Sequence, residues 1–323
     1  MDKNLLTITE EQVEKLLSWD ELIEVTKEVL VLLCEGHSGG VNQPLRTVMN
    51  FPEHNGTMIM MPGYSAKHGA LATKILSIYP DNSKKNLPSH VSKIFYFDEK
   101  TGALKAVIDG DLVTAKRTAA ASLVAARALL ETTPEVLTIL GSGVQGHSHA
   151  EIFTHIYNFS CVNIWNRSKC NAEKLANKLI SEGQNAKVFD SVKEAVDSAD
   201  IICTTTNGNL TLLYDGFVKE GAVIIAVGAP FDNIEISKEV FLKSLVVSDS
   251  KYAAEIECDV IKSEPKVEIY ANIGEIISGK KSRIPGKTVI FKSQGIGVED
   301  AVSAKLIYDK YMMTCDHLPQ PQI

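Results

Sequence analysis

Three positive residues stand where positive charge is costly. Arg46, Lys74 and Arg117 each lie in a stretch of otherwise apolar or small residues: Val41 to Met49, Leu71 to Tyr79, and the alanine-rich run from Ala115. A cation taken into such a stretch is expensive unless it meets an anion. The carboxylate of a substrate would satisfy that need. The alternatives are that each side chain reaches out to solvent or pairs with an acid of its own chain such as Asp109 or Asp111.

A second set of residues points to a partner for such a substrate. Val136 to Leu140 reads as a short apolar strand that runs directly into Gly141-x-Gly143-x-x-Gly146, with a helical stretch from His149 to Tyr157 beyond it. Strand, glycine turn and helix in that order make the dinucleotide-binding fingerprint. The glycines allow a sharp turn, a close approach of backbone to pyrophosphate, and tight packing of helix on strand, while the helix N-terminus offers free N–H groups to the phosphates. Val144 and Gln145 complete the turn. A second β-rich run, Cys161 to Trp165, ends in Asn166, Arg167 and Ser168, about 25 residues after the first glycine, where an NAD-binding fold usually places an acid for the ribose 2′-hydroxyl. No acid stands there. A guanidinium between two small polar residues suits a 2′-phosphate, so the expected cofactor is NADPH (NADP) rather than NADH. The competing reading makes Arg167 a solvated residue at a helix start.

In an open α/β sheet, ligands bind beyond the carboxyl ends of the strands. The residues there are small or hydroxylic: Thr204, Thr205 and Thr206, Val227 and Gly228, Ser293 and Gly295. They would let a nicotinamide lie close to the backbone. Hydride transfer is the cofactor's chemistry, so the protein must supply orientation, charge and a proton.

The elements that must position these groups fall into two sets. Up to residue 117 the chain reads as an α+β unit. A helical region over residues 9–36, opened by the capping-box pattern Thr9-x-x-Gln12, precedes β-rich runs separated by Gly, Pro and Asn turns, which predict a mixed or antiparallel sheet. Ala115 to Leu130 reads as a connecting helix. From Val136 the rhythm becomes strand, helix, strand, and the continuous apolar runs at 201–205, 222–228, 245–249 and 288–292 suit a parallel sheet covered on both faces. A last helix, Glu299 to Tyr311, is expected to return to the first unit. The expected fold is therefore α/β, a Rossmann-type doubly wound parallel sheet over residues 118–297, beside an N-terminal α+β domain of residues 1–117 completed by residues 298–323.

Composition sets the limits. The 323 residues suffice for two domains, and 45% of them are apolar. A formal charge of −7 argues against a general surface for nucleic acid or anionic membrane. No apolar run approaches the roughly 18 residues of a membrane span, and the acidic, broken N-terminus does not read as a signal peptide, so a cytoplasmic location is expected. The six cysteines form no C-x-x-C pair, and His147, His149 and His155 lack ligand spacing on a helix, so no metal is expected.

Many of these residues also sit in runs that resemble the ornithine cyclodeaminase/mu-crystallin family, nearest to its mu-crystallin branch. Among them are Gly39-Gly-Val-x-Gln-Pro-x-Arg46-Thr-Val, Met61-Pro-x-Tyr-Ser-Ala66, Thr73-Lys74, Pro88-Ser-His90, Thr114-Ala-Lys-Arg117-Thr-Ala-Ala120, Ile139-Leu-Gly-x-Gly-Val-Gln145, Ile164-Trp-Asn-Arg167, Phe291-Lys-Ser-x-Gly295 and Val298-Glu-Asp300. The resemblance covers nearly the whole chain. It implies that Arg46 and Arg117 hold a substrate carboxylate, that Lys74 is the active-site lysine, and that the first domain carries both substrate and the interface of a homodimer. His90 falls on a matching motif as well, although a satisfied core histidine is its expected role.

The implied activity is NADPH-dependent reduction of a small cyclic ketimine carboxylate, piperideine-2-carboxylate or pyrroline-2-carboxylate. The resemblance leaves two rivals, a thyroid hormone-binding or crystallin-like protein without turnover, and an ornithine cyclodeaminase or alanine dehydrogenase. In those last two enzymes an acid two residues after the glycine that ends the fifth strand of the nucleotide domain handles the substrate amine. Here that place holds Pro230, and Asp232 reaches in only if the loop takes a different path. Proline can neither bind an ammonium nor take a proton, so the expectation favours a substrate whose C=N bond is already formed.

Overall fold

The computed structural model describes residues 5–206, 210–228 and 235–316. The chain divides into two compact units, residues 1–117 with 296–323 and residues 118–295.

The first unit opens with β1 (Leu6–Ile8), α1 (Glu10–Leu16) and α2 (Trp19–Leu33). The expected single helix is broken at Leu17 and Ser18. Thr9 caps α1 through the reciprocal bonds with Gln12 that the sequence pattern requires, and Ser18, in extended backbone, starts α2. Ser18-x-x-Glu21 repeats the same start signal, and the two side chains are hydrogen-bonded. Strands β2 (Val41–Asn42), β3 (Thr47–Phe51), β4 (Gly56–Ser65), β5 (Ala70–Ile78), β6 (His90–Phe97) and β7 (Leu104–Asp109) follow, then α3 (Gly110–Leu129). The sheet runs in the order β1-β7-β6-β5-β4-β2, with β3 on β4. Only the β1–β7 pair is parallel, so the sheet is mixed.

Register assigns the two faces of this sheet. Ile59 and Met61 of β4, Ala72 and Lys74 of β5, Ile94 and Tyr96 of β6 and Ala106 and Ile108 of β7 alternate inward and are all buried. Lys74 thus sits in the middle of a hydrophobic face.

The second unit carries β8 (Val136–Leu140), α4 (Val144–Ile156), β9 (Cys161–Trp165), α5 (Lys169–Ser181), β10 (Ala186–Val188), α6 (Val192–Val196), β11 (Ile201–Thr204), β12 (Val223–Ala226), α7 (Lys238–Lys243), β13 (Leu245–Ser248), α8 (Lys251–Glu257), α9 (Asp259–Ser263), β14 (Ile269–Asn272), α10 (Ile273–Ile277) and β15 (Val289–Lys292). Its eight strands are all parallel, in the order β10-β9-β8-β11-β12-β15-β13-β14. Strands β11, β12, β13 and β15 are buried along their whole length, as a sheet with both faces covered requires. The fold is the doubly wound α/β arrangement. After β8 the chain winds to one side through β9 and β10 and then resumes on the other at β11, which makes the carboxyl ends of β8 and β11 the topological switch point.

The last helix, α11 (Gly297–Asp316), belongs to the first unit and packs on β4, β5 and α2. Its approach to β4 is close: a Cβ on Gly297 would lie 2.4 Å from the Pro62 carbonyl oxygen. Among the described residues, no helix is long and apolar enough to cross a membrane.

Candidate functional site

At the switch point of the second unit, Gly141 leaves β8 and its amide donates to the Trp165 carbonyl at 2.8 Å. Thr205, just past β11, ties the two strand ends together. Its amide donates to Leu140 O at 2.9 Å, and its hydroxyl donates to Leu140 O and Gly141 O at 3.1 and 3.0 Å. Helix α4 starts at Val144, with Gly143 as its N-cap, rather than at the expected His149. The third glycine therefore lies inside the first turn, where a Cβ at position 146 would stand 1.9 Å from the Gly141 carbonyl oxygen. A Cβ on Gly143 would meet nothing within 4 Å, so this glycine faces open space at the helix N-terminus.

That open space is a cleft of about 450 Å³, lined by Gly141, Ser142, Gly143, Asn166, Arg167, Ser168, Thr205 and Thr206 with Trp165, Asn171, Leu210 and Leu212. The structure thus brings together seven of the residues singled out in the sequence. Asn166 braces the turn, accepting from the Ser142 amide at 3.3 Å and donating to Ser168 O at 3.0 Å. Arg167 is exposed at the cleft wall. The buried Ser142 hydroxyl and the Gln145 side-chain oxygen Oε1 have no hydrogen-bond partner among the described residues. Orphaned polar atoms, an uncrowded glycine and a 13-residue helix pointing its N-terminus at the cleft fit a pyrophosphate-linked dinucleotide.

Val227, Gly228, Ser293 and Gly295 do not line this cleft. They stand at the ends of β12 and β15, where the amides of Val227 and Gly228 donate to Thr204 O at 3.0 and 3.1 Å. The 293–295 turn is fixed by Asp249, a fully buried acid at the end of β13. Its Oδ2 accepts from the Gln294 and Gly295 amides, both at 2.8 Å. Glu235 holds the Thr206 end in a similar way, accepting from its amide at 2.7 Å and its hydroxyl at 2.6 Å. Burial pushes the Glu235 carboxyl above its usual range, against the pull of the Thr206 and Thr204 hydrogen bonds. Sequence reading missed both acids; the available signal was an acid directly after a buried strand at Asp249.

In the first unit, Lys74 and Arg117 lie 1% and 4% exposed, as the cost of burying them anticipates only if they are paired. Their partners are not Asp109 or Asp111, which bond instead to Lys93 and to Ser92. The partners come from the first turn of α11. Lys74 Nζ lies 3.0 and 2.9 Å from the two oxygens of Asp300. Arg117 donates through Nε to Asp300 Oδ1 at 3.0 Å and through Nη1 to Glu299 Oε2 at 2.9 Å. Both acids are fully buried, and the start of α11 favours negative charge. Arg46, half-buried between β2 and β3, adds a third cation near Lys74.

Three cations, two of them buried, and two buried carboxylates thus gather in this unit. Burial, with help from the charges of Arg117 and Arg46, pushes Lys74 down to about 8 against the opposing pull of Asp300. A lysine so placed exchanges a proton near neutral pH. His90 is a correction: it stands exposed at the start of β6, its Nδ1 3.0 Å from the Ser89 hydroxyl, and is not a core histidine. The buried histidine is His149, hydrogen-bonded to Gln145 O and Ser122 Oγ and pushed down to about 4 by burial. Pro230 and Asp232 lie outside the described residues.

Comparison with known proteins finds similarity along nearly the whole chain. The ketimine reductase mu-crystallin of Mus musculus is 42% identical over 304 residues, covering 94% of this chain and 96% of that protein. The structure of the Delta(1)-pyrroline-2-carboxylate reductase of Thermococcus litoralis in complex with NADH and L-proline is 33% identical, with a TM-score of 0.90 over 96% of this chain and 98% of that one. An archaeal alanine dehydrogenase dimer with bound NAD is 27% identical, with a TM-score of 0.89 over 96% and 97%. The sequence model of the ornithine cyclodeaminase/mu-crystallin family matches residues 3–314. With the glycine turn and the buried cations both in place, the chain belongs to the ornithine cyclodeaminase/mu-crystallin family.

Proposed function

We propose that the protein is an NADPH-dependent reductase of small cyclic ketimine carboxylates, with piperideine-2-carboxylate and pyrroline-2-carboxylate as the substrates to try. The observation that carries the reading is the buried cluster of Lys74, Arg117, Glu299 and Asp300, with Arg46 close enough for its charge to act on Lys74. When bound, the nicotinamide supplies a hydride to the imine carbon. Arg46 and Arg117 hold the ring carboxylate, which fixes the imine carbon in one orientation. Lys74 gives its proton to the ring nitrogen and regains one from water. Its lowered proton affinity makes it a better acid than an ordinary lysine, and a lysine that donates to a neutral imine never stands charged beside an iminium.

A ring without the carboxylate tests this reading. Reduction of 1-pyrroline is expected at a kcat/KM about 100-fold or more below that of pyrroline-2-carboxylate, because a charge-assisted bidentate contact is lost inside a buried site. Equal rates on the two rings would remove the arginines from substrate binding.

Arg167 carries the preference for NADPH. Its guanidinium stands exposed beside Asn166 and Ser168 at the cleft wall, where a 2′-phosphate can take two parallel hydrogen bonds. Arg167→Ala is expected to raise KM for NADPH about tenfold or more while leaving KM for NADH nearly unchanged. An unaltered ratio of the two constants would contradict the assignment.

The outer face of the first unit's sheet supports a homodimer. Met58, Met60, Leu71, Ile75, Val91 and Phe95 share that face by register and none of them is buried. A second copy of the chain is the proposed cover, in keeping with the dimeric state of the similar archaeal alanine dehydrogenase.

A further inference from the structure

Lys74 and Arg117 come from different elements, a strand and a helix, and neither touches the other in the hydrogen-bond network. What joins them is one atom. Asp300 Oδ1 receives Lys74 Nζ at 3.0 Å and Arg117 Nε at 3.0 Å, while Oδ2 lies 2.9 Å from the same Nζ. The acid is fully buried, so water does not screen it. Its own position is fixed by the start of α11, where the Val298 amide donates to Gln43 Oε1 at 2.7 Å and Gly297 closes on Pro62. Glu299, its neighbour, reaches Arg117 alone among the two cations in the bonds described above.

We propose that Asp300 is the positioning residue of this site, holding the Lys74 ammonium and the Arg117 guanidinium on one carboxylate so that proton donor and carboxylate clamp keep a fixed separation. The inference rests on Lys74 being the proton donor of the proposed reduction. Among the described residues, the charges that weigh most on Lys74 are Arg117 of α3, Arg46 of the β2–β3 segment and Asp300 of α11. Two of them favour loss of its proton, and Asp300 alone favours its retention. Removing the Asp300 charge therefore lowers the pH at which Lys74 loses its proton. A protonated donor is needed, so activity falls as pH rises through that value, and the alkaline limb of kcat/KM must move to lower pH.

The test compares the unaltered protein with Asp300→Asn, Asp300→Glu and Glu299→Gln, reading kcat/KM for pyrroline-2-carboxylate against pH. The unaltered protein is expected to lose activity through about pH 8. In Asp300→Asn the limb should lie about 1 pH unit lower or more, because an opposite charge at this range is worth that much. Glu299→Gln should raise KM and move the limb far less. L-proline binding, followed by calorimetry over the same pH range, reads the same limb without turnover, since a charged Lys74 adds to the attraction for a carboxylate. Should Asp300→Asn fail to fold, Asp300→Glu decides, because it keeps the charge and displaces it: the limb should stay while kcat falls about tenfold. A limb that stays put in Asp300→Asn, or that moves in Asp300→Glu, would overturn the proposal. If the unaltered protein reduces no cyclic ketimine and yet the limb in proline binding moves as stated, the reductase reading fails and the positioning role stands.

Discussion

Lys74→Met is expected to lower kcat by about 10²- to 10⁴-fold, the usual contribution of a positioned acid or base, with a much smaller change in KM. The geometry explains why the loss should fall on the rate. The lysine is 1% exposed on a hydrophobic sheet face, and a methionine of similar length fills the same space. Asp300 retains its bond from Arg117 Nε, so the substitution does not leave that acid without a partner. Removal of the lysine also removes a cost. Because burial lowers its folded pKa from 10.5 to about 8, the folded state holds the Lys74 proton more weakly than the unfolded chain does. That penalty is fully present below about pH 8 and fades as pH rises toward 10.5, so stability attributable to this group increases with pH across that window. The variant should therefore unfold no earlier at neutral pH than loss of one ion pair requires, and its carboxylate binding, carried by Arg46 and Arg117, should persist. Full turnover in Lys74→Met would take the residue out of the mechanism.

Arg117→Met is expected to cost about 3–5 kcal/mol of stability, the range found when one partner of a buried ion pair is removed, and to raise KM sharply where the protein remains folded. Here the guanidinium satisfies two fully buried carboxylates at once, through Nη1 to Glu299 and through Nε to Asp300. Loss of the arginine removes the Nη1 bond to Glu299 and the Nε bond to Asp300, and leaves Lys74 on Asp300. A buried carboxylate that loses a cationic partner is costlier as an anion than as an acid, so the deficit should shrink as pH is lowered toward the carboxylate range. Urea unfolding at neutral and mildly acidic pH reads this directly. A deficit independent of pH would mean that packing rather than charge is what Arg117 supplies.

The cofactor half of the site was legible in the sequence because its chemistry is local. Gly141, Gly143 and Gly146 lie within one turn, and Asn166, Arg167 and Ser168 close the next strand, so spacing alone brings them to one cleft. The start of α4 was misplaced by five residues, since glycines are poor helix formers and nothing in their propensity announces a helix that packing enforces. The cations were legible for a different reason, that charge inside apolar runs demands a partner. Which partner it meets was not. Asp300 is 226 residues from Lys74 along the chain, and only the return of α11 beneath β5 brings them together. Nearby Asp109 and Asp111 were the plausible acids in sequence, but both are used by β6, through Lys93 and Ser92. His90 misled because it begins a strand whose later residues are buried, while its own place at the strand's end is open to solvent.

In the proposed reaction a nicotinamide cofactor and a carboxylate-holding cation cluster together serve reduction of a C=N bond. Its most direct test is oxidation of NADPH, followed optically with the purified protein against piperideine-2-carboxylate and pyrroline-2-carboxylate, with NADH in parallel. Turnover of at least one of these imines is expected, faster with NADPH than with NADH. Tight NADPH binding with no oxidation on either imine, accompanied by saturable binding of thyroid hormone, would contradict it and make the protein a carrier.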